Sequence, residues 1–534
     1  MTTANAATQT TSTWAPLQSP MFRALWIAQF VSNLGTWMQT VGAQWMLVGD
    51  PRAAVLVPLV QTATTLPVML LALPSGVLAD LVDRRRLLIA TQAAMAAGVA
   101  LLASLTGAGL TTPTVLLLLL FFIGCGQALT APAWQAIQPD LVPPQQIPAA
   151  AALGSMSMNG ARAIGPAIAG VLVSVAGPTV VFALNAVSFV GIVIVLLMWR
   201  KPAVEQNFPA ERALAALSAG GRYISRSPIV RRILLRTALF IAPASALWGL
   251  LPVIAKHQLG LSSSGYGLLL GALGAGAVLG ALVLSRLRSR FGQNGLLTVA
   301  ALGFAASTVV LALVPHFALV LIGLVFGGAA WLLCLSTLNA SMQLSLPGWV
   351  RARGLSVYQL IFMGGQAIGS LLWGVLAGAT SSVISLLVSA GLLVVCALST
   401  LWWPLHAGTG KLDLTPSSHW PEPTLVLEPE PLDGPVLVLT TYHVKPEDEE
   451  AFLKAIAAMG RSRRRTGAAR WRLYRSIERE HTFVETFIVR SWGEHLHQHY
   501  TRLTGQDLLI EQRVEQFLDQ DPVSHHLIAV HDVR

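Results

Sequence analysis

The sequence predicts an all-α polytopic membrane protein, twelve transmembrane helices in two pseudo-symmetric six-helix halves, followed by a C-terminal α+β soluble domain of βαββαβ order. Three observations predict this. The first is a repeat: Asn159 to Leu172 recurs as Met363 to Leu376 with half of its positions identical, and the same offset carries Gly76 onto Gly280, Arg84 onto Arg288, Arg86 onto Arg290 and Pro143 onto Pro347. The second is composition, with 54% hydrophobic and 11% charged residues and a mean hydropathy of +0.62, too apolar for a soluble chain of 534 residues. The third is the placement of charge. Residues 1–400 hold 20 Lys and Arg against 6 Asp and Glu, residues 401–534 hold 15 against 19, and no carboxylate occurs between Glu211 and Asp413. Hydrocarbon excludes unpaired carboxylates, so that empty stretch reads as membrane.

The apolar runs, measured against the roughly 20 residues that cross a bilayer, give spans near 22–48, 54–80, 87–107, 113–139, 147–176, 178–199, 230–255, 264–285, 294–314, 317–345, 354–379 and 382–403. Arg84, Arg85, Arg86, Arg286, Arg288, Arg290, Arg351 and Arg353 fall in loops on one side, with eight further basic residues from Arg200 to Arg236. The opposite loops show Arg52 and Lys256. By the positive-inside rule the basic side, and with it both termini, is cytoplasmic. The chain is expected to cross the membrane many times.

The expected organisation is a disordered N-terminal tail (1–19), a first half (20–200), a cytoplasmic connecting segment (201–229), a second half (230–403), a Pro-rich linker (404–434) and a cytoplasmic domain (435–534). The tail lacks the charged start and cleavage site of a signal peptide. Arg212 to Tyr223 suits a helix lying on the membrane surface. The linker, with Pro421 to Pro423 and Glu428 to Pro431, suits an extended chain. In the last domain, strands at Val436–His443, Arg470–Ile477, Thr482–Val489 and Val523–Val530 alternate with helices at Glu447–Arg463 and Gln506–Leu518, the order of a ferredoxin-like domain. Cys125, Cys334 and Cys396 fall in spans without metal spacing and are expected to pack as small apolar residues.

Arg162 is the sharpest candidate, a guanidinium in the middle of span 5. Two readings stand: it faces a watery substrate cavity, or it braces the fold through backbone carbonyls. In the first, charge-assisted hydrogen bonds suit an anionic or acceptor-rich substrate. Asn159 flanks it, and Gln366 is its repeat counterpart. Gln29, Asn33, Trp37 and Gln44 approximate one face of span 1, which fits either the lining of an aqueous path or glue between helices. Gly165, Pro166 and Gly170, with Gly369 in the second half, form small-residue strips for close packing or hinging.

Gly76-Val-Leu-Ala-Asp80-Leu-Val-Asp83-Arg84-Arg85 resembles the loop between spans 2 and 3 of the major facilitator superfamily, with Leu81 and Asp83 where Arg and Gly are usual. The resemblance implies a cytoplasmic gate built from Gly76, Asp80, Asp83, Arg84, Arg85 and Arg86, with Arg353 facing it. Gly165 to Gly170 resembles the span 5 motif of that superfamily's antiporters. Phe22 to Trp26, Gln29 to Gln39, Pro139 to Pro143 and Asn159 to Arg162 resemble the branch that includes enterobactin and macrolide exporters. The tail resembles small dimeric domains of the antibiotic-biosynthesis monooxygenase type.

These resemblances imply alternating access and export of a small organic compound of the siderophore or drug class, driven by protons, although no carboxylate lies in the middle of a span. No cofactor, metal or nucleic acid is expected. A homodimer through the last domain is. Two rival readings stand beside the exporter: a membrane-tethered oxygenase, with Trp471, Tyr474 and Trp492 bordering its pocket, and an importer of the same superfamily. His495, His497 and His499 alternate but share no helix face, so a metal site there is not expected. Arg461, Arg463, Arg464 and Arg465 read as a solvated turn.

Overall fold

The computed structural model describes residues 14–137, 141–199, 213–405, 412–415, 417, 420, 427 and 429–529. Among the described residues eleven α-helices precede the linker: α1 (Pro20–Leu47), α2 (Ala53–Leu81), α3 (Arg84–Gly107), α4 (Pro113–Ile137), α5 (Ile147–Met198), α6 (Ala213–Arg226), α7 (Pro228–His257), α8 (Ser263–Leu313), α9 (Phe317–Leu344), α10 (Gly348–Ala379) and α11 (Ser382–Trp402). Among the described residues nine helices are long and apolar enough to cross a membrane. Two of the nine, α5 and α8, run for 52 and 51 residues and change direction at Gly177 (φ 76°) and Gly292 (φ 64°). A positive φ is open to glycine at little cost, so each supplies a tight reversal inside an otherwise apolar run.

Local chemistry fixes the helix ends. Ser19 caps α1 by accepting from Phe22 N, with Pro20 as the first helical residue. Asp83 caps α3 by accepting from Arg86 N at 2.9 Å. Arg85 donates to the carbonyls of Leu196 and Leu197 at 2.8 Å each, satisfying the last turn of α5. The second half uses the same device: Arg236, buried in α7, donates to Cys396 O at 3.1 Å, Ser399 O at 2.6 Å and Trp403 O at the end of α11.

The chain divides into two compact units. The first comprises residues 1–207, 236–337 and 359–404 and contains most of the apolar helices. Its interior is tightly packed, with Val57, Leu102, Leu116 and Phe182 fully buried in one cluster. Val175, Val187, Leu282, Phe326 and Leu401 are two-thirds or more exposed. So much outward apolar surface is compatible with lipid and not with water.

The second unit comprises residues 208–235, 338–358 and 405–534. It contains α6, the last turns of α9, the first turns of α10 and a small α/β domain. That domain runs β1 (Val436–His443), α12 (Glu449–Thr466), β2 (Arg470–Arg475), β3 (Thr482–Val489), α13 (Trp492–His497), α14 (Gly505–Glu515) and β4 (Val523–Ile528). The strands form one sheet in the order β2-β3-β1-β4, antiparallel throughout. Val436, Val438 and Tyr442 alternate inward along β1: Tyr442 meets the buried Phe452, Ile456 and Met459 of α12, while Val436 and Val438 pack with Phe487, Val489 and Trp492.

Two expectations are corrected here, and the helix expected at Arg212 to Tyr223 is given its contacts. The segment after Pro404 is not free chain: Thr415 and Asp413 carbonyls accept from Gly505 N and Gln506 N at 3.0 Å, and Trp420 Nε1 donates to both carboxylate oxygens of Glu511 at 2.8 and 3.0 Å. The helix at α6 packs against α12 and contributes side chains to the second unit. The basic run in α12 is no solvated turn. Arg463 is buried between Glu485 and Glu511 with its guanidinium 4.4 Å over Trp420, Arg464 stands over Trp471, and Arg465 pairs with Asp507.

Candidate functional site

A row of polar residues of the first unit runs along the seam between α1 and α5. Gln29 Nε2 donates to Asn33 Oδ1 at 3.0 Å, and Asn33 Nδ2 donates to Ser157 Oγ at 3.2 Å. One turn further, the Arg162 guanidinium lies 5.2 Å from the Trp37 ring centre. That cation–π contact is the strongest partner the structure gives Arg162, whose Nε is buried without a hydrogen-bond partner. Among the described residues it pairs with no carboxylate. A second orphan, Gln29 Oε1, lies on the same seam.

The helices bring these groups together because Gly165 lets α5 press onto α1. A Cβ there would sit 2.9 Å from Trp37 Cβ. Pro166, next in the chain, withholds an N–H inside α5.

Two expected members do not join. Asn159 is exposed and returns its amide to Ser155 O of its own helix at 3.0 Å. Gln366 lies on α10, where its Oε1 accepts from Gln61 Nε2 of α2 at 3.0 Å, while Thr62 bonds Ala367 O at 2.9 Å. Gln366 is therefore part of a junction between the halves, and Gln61 is a residue that sequence reasoning missed. It sits in α2 at the fourth position after Val57, a signal no stronger than any other lone polar residue in a span. Ser157, the acceptor for Asn33, was missed for the same reason.

The halves also meet along α5 and α8. A Cβ at Gly170 would lie 2.6 Å from Ser263 O and 2.9 Å from Gly267 Cα, and one at Gly274 would lie 2.7 Å from Ala163 Cα. Gly369 performs the same service within the second half, against Ala242 O and Ser245 Oγ.

Of the expected gate, Gly76 and Asp80 lie in α2 with side chains outside the described residues. Asp83 and Arg85 serve as helix caps, Arg84 is half-buried, and Arg86 is exposed. Arg353 belongs to the second unit, with its stem against Gly220.

In the small domain Trp471 donates to buried Glu485 at 2.6 Å, Trp492 is buried in the apolar core, and Tyr474 is exposed on the other face of β2. The three do not converge on a pocket. Among the described residues no group of three or more His, Cys, Asp or Glu is arranged to hold a metal ion.

A bundle of long apolar helices in two repeated halves, with Arg162 held inside the apolar helix α5, points to a polytopic membrane transporter. The chain belongs to the transmembrane secretion effector family, whose model matches residues 11–533, within the major facilitator superfamily. It is 27% identical over 388 residues to the enterobactin exporter EntS of Shigella boydii, covering 72% of this chain and 91% of that one. It is 26% identical over 274 residues to the staphyloferrin A transporter of Staphylococcus aureus, covering 51% of this chain and 69% of that one. Its fold is similar to that of a variant of the nucleoside transporter NupG, with a TM-score of 0.59 at 15% identity over 72% of this chain and all of that one. A bacterial homologue of the lysosomal transporter Spinster, in an inward-facing and occupied conformation, gives 0.59 at 16% identity, covering 72% and 97%. The protein is thus a multi-pass bacterial membrane transporter and not an enzyme, which removes the tethered oxygenase as a reading.

Proposed function

We propose that this protein exports a small, anionic or acceptor-rich organic compound of the siderophore or drug class across the bacterial inner membrane by alternating access, with the proton gradient as driving force. The observation that carries the reading is Arg162: a cation inside the membrane, backed by an aromatic face and with no carboxylate partner among the described residues, is an unspent recognition group. Asn33, Gln29 and Trp37 supply hydrogen bonds and an aromatic surface beside it. The names of the relatives, an enterobactin exporter and a staphyloferrin A transporter, support a cargo of the siderophore class.

Counting α5 and α8 as two spans each, and adding α1, gives twelve spans with both termini cytoplasmic. The contacts that join the halves, Gly170 with Gly267 and Gln61 with Gln366, then fall in the outer part of the membrane or near its middle, so the molecule is closed to the outside. Asp80 with Arg84 and Arg86 acts at the cytoplasmic gate. The small domain takes the ferredoxin-like strand order, and its uncovered sheet face, with Leu437, Val484, Ile488 and the half-exposed Leu527, pairs with that of a second copy.

The test is accumulation of a panel of siderophores and antibiotics in an efflux-deficient bacterium expressing the native chain, Arg162→Gln or Arg162→Lys at matched membrane levels. Export lost in Arg162→Gln for anionic compounds and partly kept in Arg162→Lys is the expected result. Equal export by all three would remove Arg162 from the cargo site.

A further inference from the structure

The small C-terminal domain is fastened to two segments that chain connectivity assigns to the transporter. α6 leads into α7 with only Ser227 between them, and the first turns of α10 run on without a break to Gln366. Within the second unit a closed ring of side chains joins all three parts. Glu494 of α13 sits between two guanidinium groups, accepting from Arg222 of α6 and from Arg502 Nη1 at 3.1 Å. Arg502 Cζ stands 5.2 Å over the ring of Trp349 in α10. Trp349 meets Tyr223 of α6 edge to face, with ring centres 5.6 Å apart. Arg465 of α12, held by Asp507, lies 5.6 Å over Tyr223, and Arg222 completes the ring as the chain neighbour of Tyr223. Beside it, the stem of Arg353 lies against Gly220, where a Cβ would come within 2.8 Å of Arg353 Cδ.

Burial gives this ring its character. The side chains of Arg222, Glu494 and Arg502 are 21%, 14% and 5% exposed, and Tyr223 is buried. A partly solvated ion pair on a surface gives way gradually at small cost. Here two mostly desolvated guanidinium groups share one carboxylate, so removing Glu494 strands two neighbouring cations and makes Glu494 the member on which docking turns. A domain that merely hung from its linker would have no use for such a contact, because the linker alone keeps it attached.

We propose that the C-terminal domain is a cytoplasmic brace that controls transport. Docked through the Arg222–Glu494–Arg502 triad and the Tyr223–Trp349 pair, it fixes the helix that connects the two halves and the first turns of the helix that carries Gln366. Only the docked form transmits the rearrangement of that helix at full rate. The control role rests on the exporter reading; the docking itself does not.

The experiment uses the full chain in lipid nanodiscs and in cells, as native protein, Glu494→Gln and Trp349→Leu. Hydrogen exchange is followed in residues 213–226 and 350–357, with β1 and β3 as an internal record of whether the domain is folded, beside export rate against cargo concentration. Expected is a rise in exchange of about tenfold or more in both segments, protection of β1 and β3 unchanged, and a maximal export rate lowered by about fivefold or more at an unaltered half-saturating concentration. Trp349→Leu opens the ring from α10 without touching the domain's own sequence, so it must reproduce both effects even if Glu494→Gln loosens the domain. Unchanged exchange in 213–226 and 350–357 overturns the docking. Raised exchange with an unaltered export rate overturns the control. A native chain that exports nothing sinks the exporter reading and the control with it, while exchange still decides the docking.

Discussion

Tyr266 of α8 donates its hydroxyl to Oε1 of Gln44 in α1 at 2.6 Å, a buried bond that joins the two halves of the repeat. Around it, Trp45 stacks on Tyr266 at 5.9 Å, the Lys256 ammonium stands 5.9 Å from the Trp45 ring, and His257 Nε2 lies 3.0 Å from Val48 O. These contacts tie α1 to α7 and α8 at one end of the bundle. Tyr266→Phe would leave Gln44 Oε1 buried and unpaired, at a cost of about 1–3 kcal/mol. The expected outcome is faster reaction of Ser263→Cys with an impermeant maleimide in a cysteine-free background, since Ser263 lies buried at the same end. Equal labelling with and without Tyr266→Phe would refute the role of this bond.

Gly170→Val tests the seam between α5 and α8. Its added carbons would overlap Ser263 O and Gly267 Cα, so the helices must part or the fold must strain by about 1–3 kcal/mol. Export is expected to fall and the midpoint of thermal unfolding with it. Gly191→Ala, where nothing lies within 4 Å of the new carbon, is the control and should change neither.

Arg463→Met should be far more damaging than Arg464→Met three atoms of backbone away. Burial works against the Arg463 charge, but Glu511 and then Glu485 outweigh it and hold its pKa above the ordinary value. Removing it strands two buried carboxylates, at about 3–5 kcal/mol. Arg464 offers only a partly exposed contact with Trp471, worth about 0.5–1 kcal/mol. Denaturant unfolding of the domain within the full chain, read by exchange at β1 and β3, measures both.

A pH dependence follows from His495. Burial, then the neighbouring His526 and His499, lower its pKa to about 3. Its rings of contact are aromatic, with Trp492 at 5.3 Å and His526 at 4.8 Å. The native domain keeps this imidazole neutral, while the unfolded chain takes up a proton near its ordinary value of about 6.5. Below that value the unfolded state binds more protons, so the domain loses stability as pH falls, by up to about 1.4 kcal/mol per unit, until the folded group itself titrates near 3. Above it the contribution is complete. His495→Gln should flatten this part of the stability profile; an unchanged slope between pH 6 and 4 would refute it.

Much of the membrane part was legible because a bilayer imposes one rule on every span: about 20 apolar residues and almost no charge. The repeat that pairs Arg162 with Gln366 was legible too, but not their separation. Which polar residue finds which partner depends on helix rotation and crossing, and so Gln61, Ser157 and Tyr266 carried no mark in the sequence. The small domain hid more. Arg463, Arg465, Glu485, Asp507 and Glu511 have the composition of a soluble surface, and only the fold turns them inward into pairs. The helix at α6 looked fit for lipid because its apolar and basic faces suit a headgroup layer as well as they suit the docking of Tyr223 and Arg222.

Gly177 bears on how the chain is made. An arginine offered alone at the middle of a helix entering the bilayer is penalised by about 2.5–3.5 kcal/mol, enough to make insertion of that helix uncertain. The reversal at Gly177 follows Arg162 by little more than four helical turns and is followed directly by a second apolar stretch ending at Met198. Arg162 thus sits on one arm of a helical hairpin whose other arm is free of charge, and entry of the two arms as a pair would spread its cost over both. A longer, polar insertion at Gly177 would uncouple them and trap the arginine-bearing arm outside the membrane during synthesis, even though every contact of the finished protein was preserved.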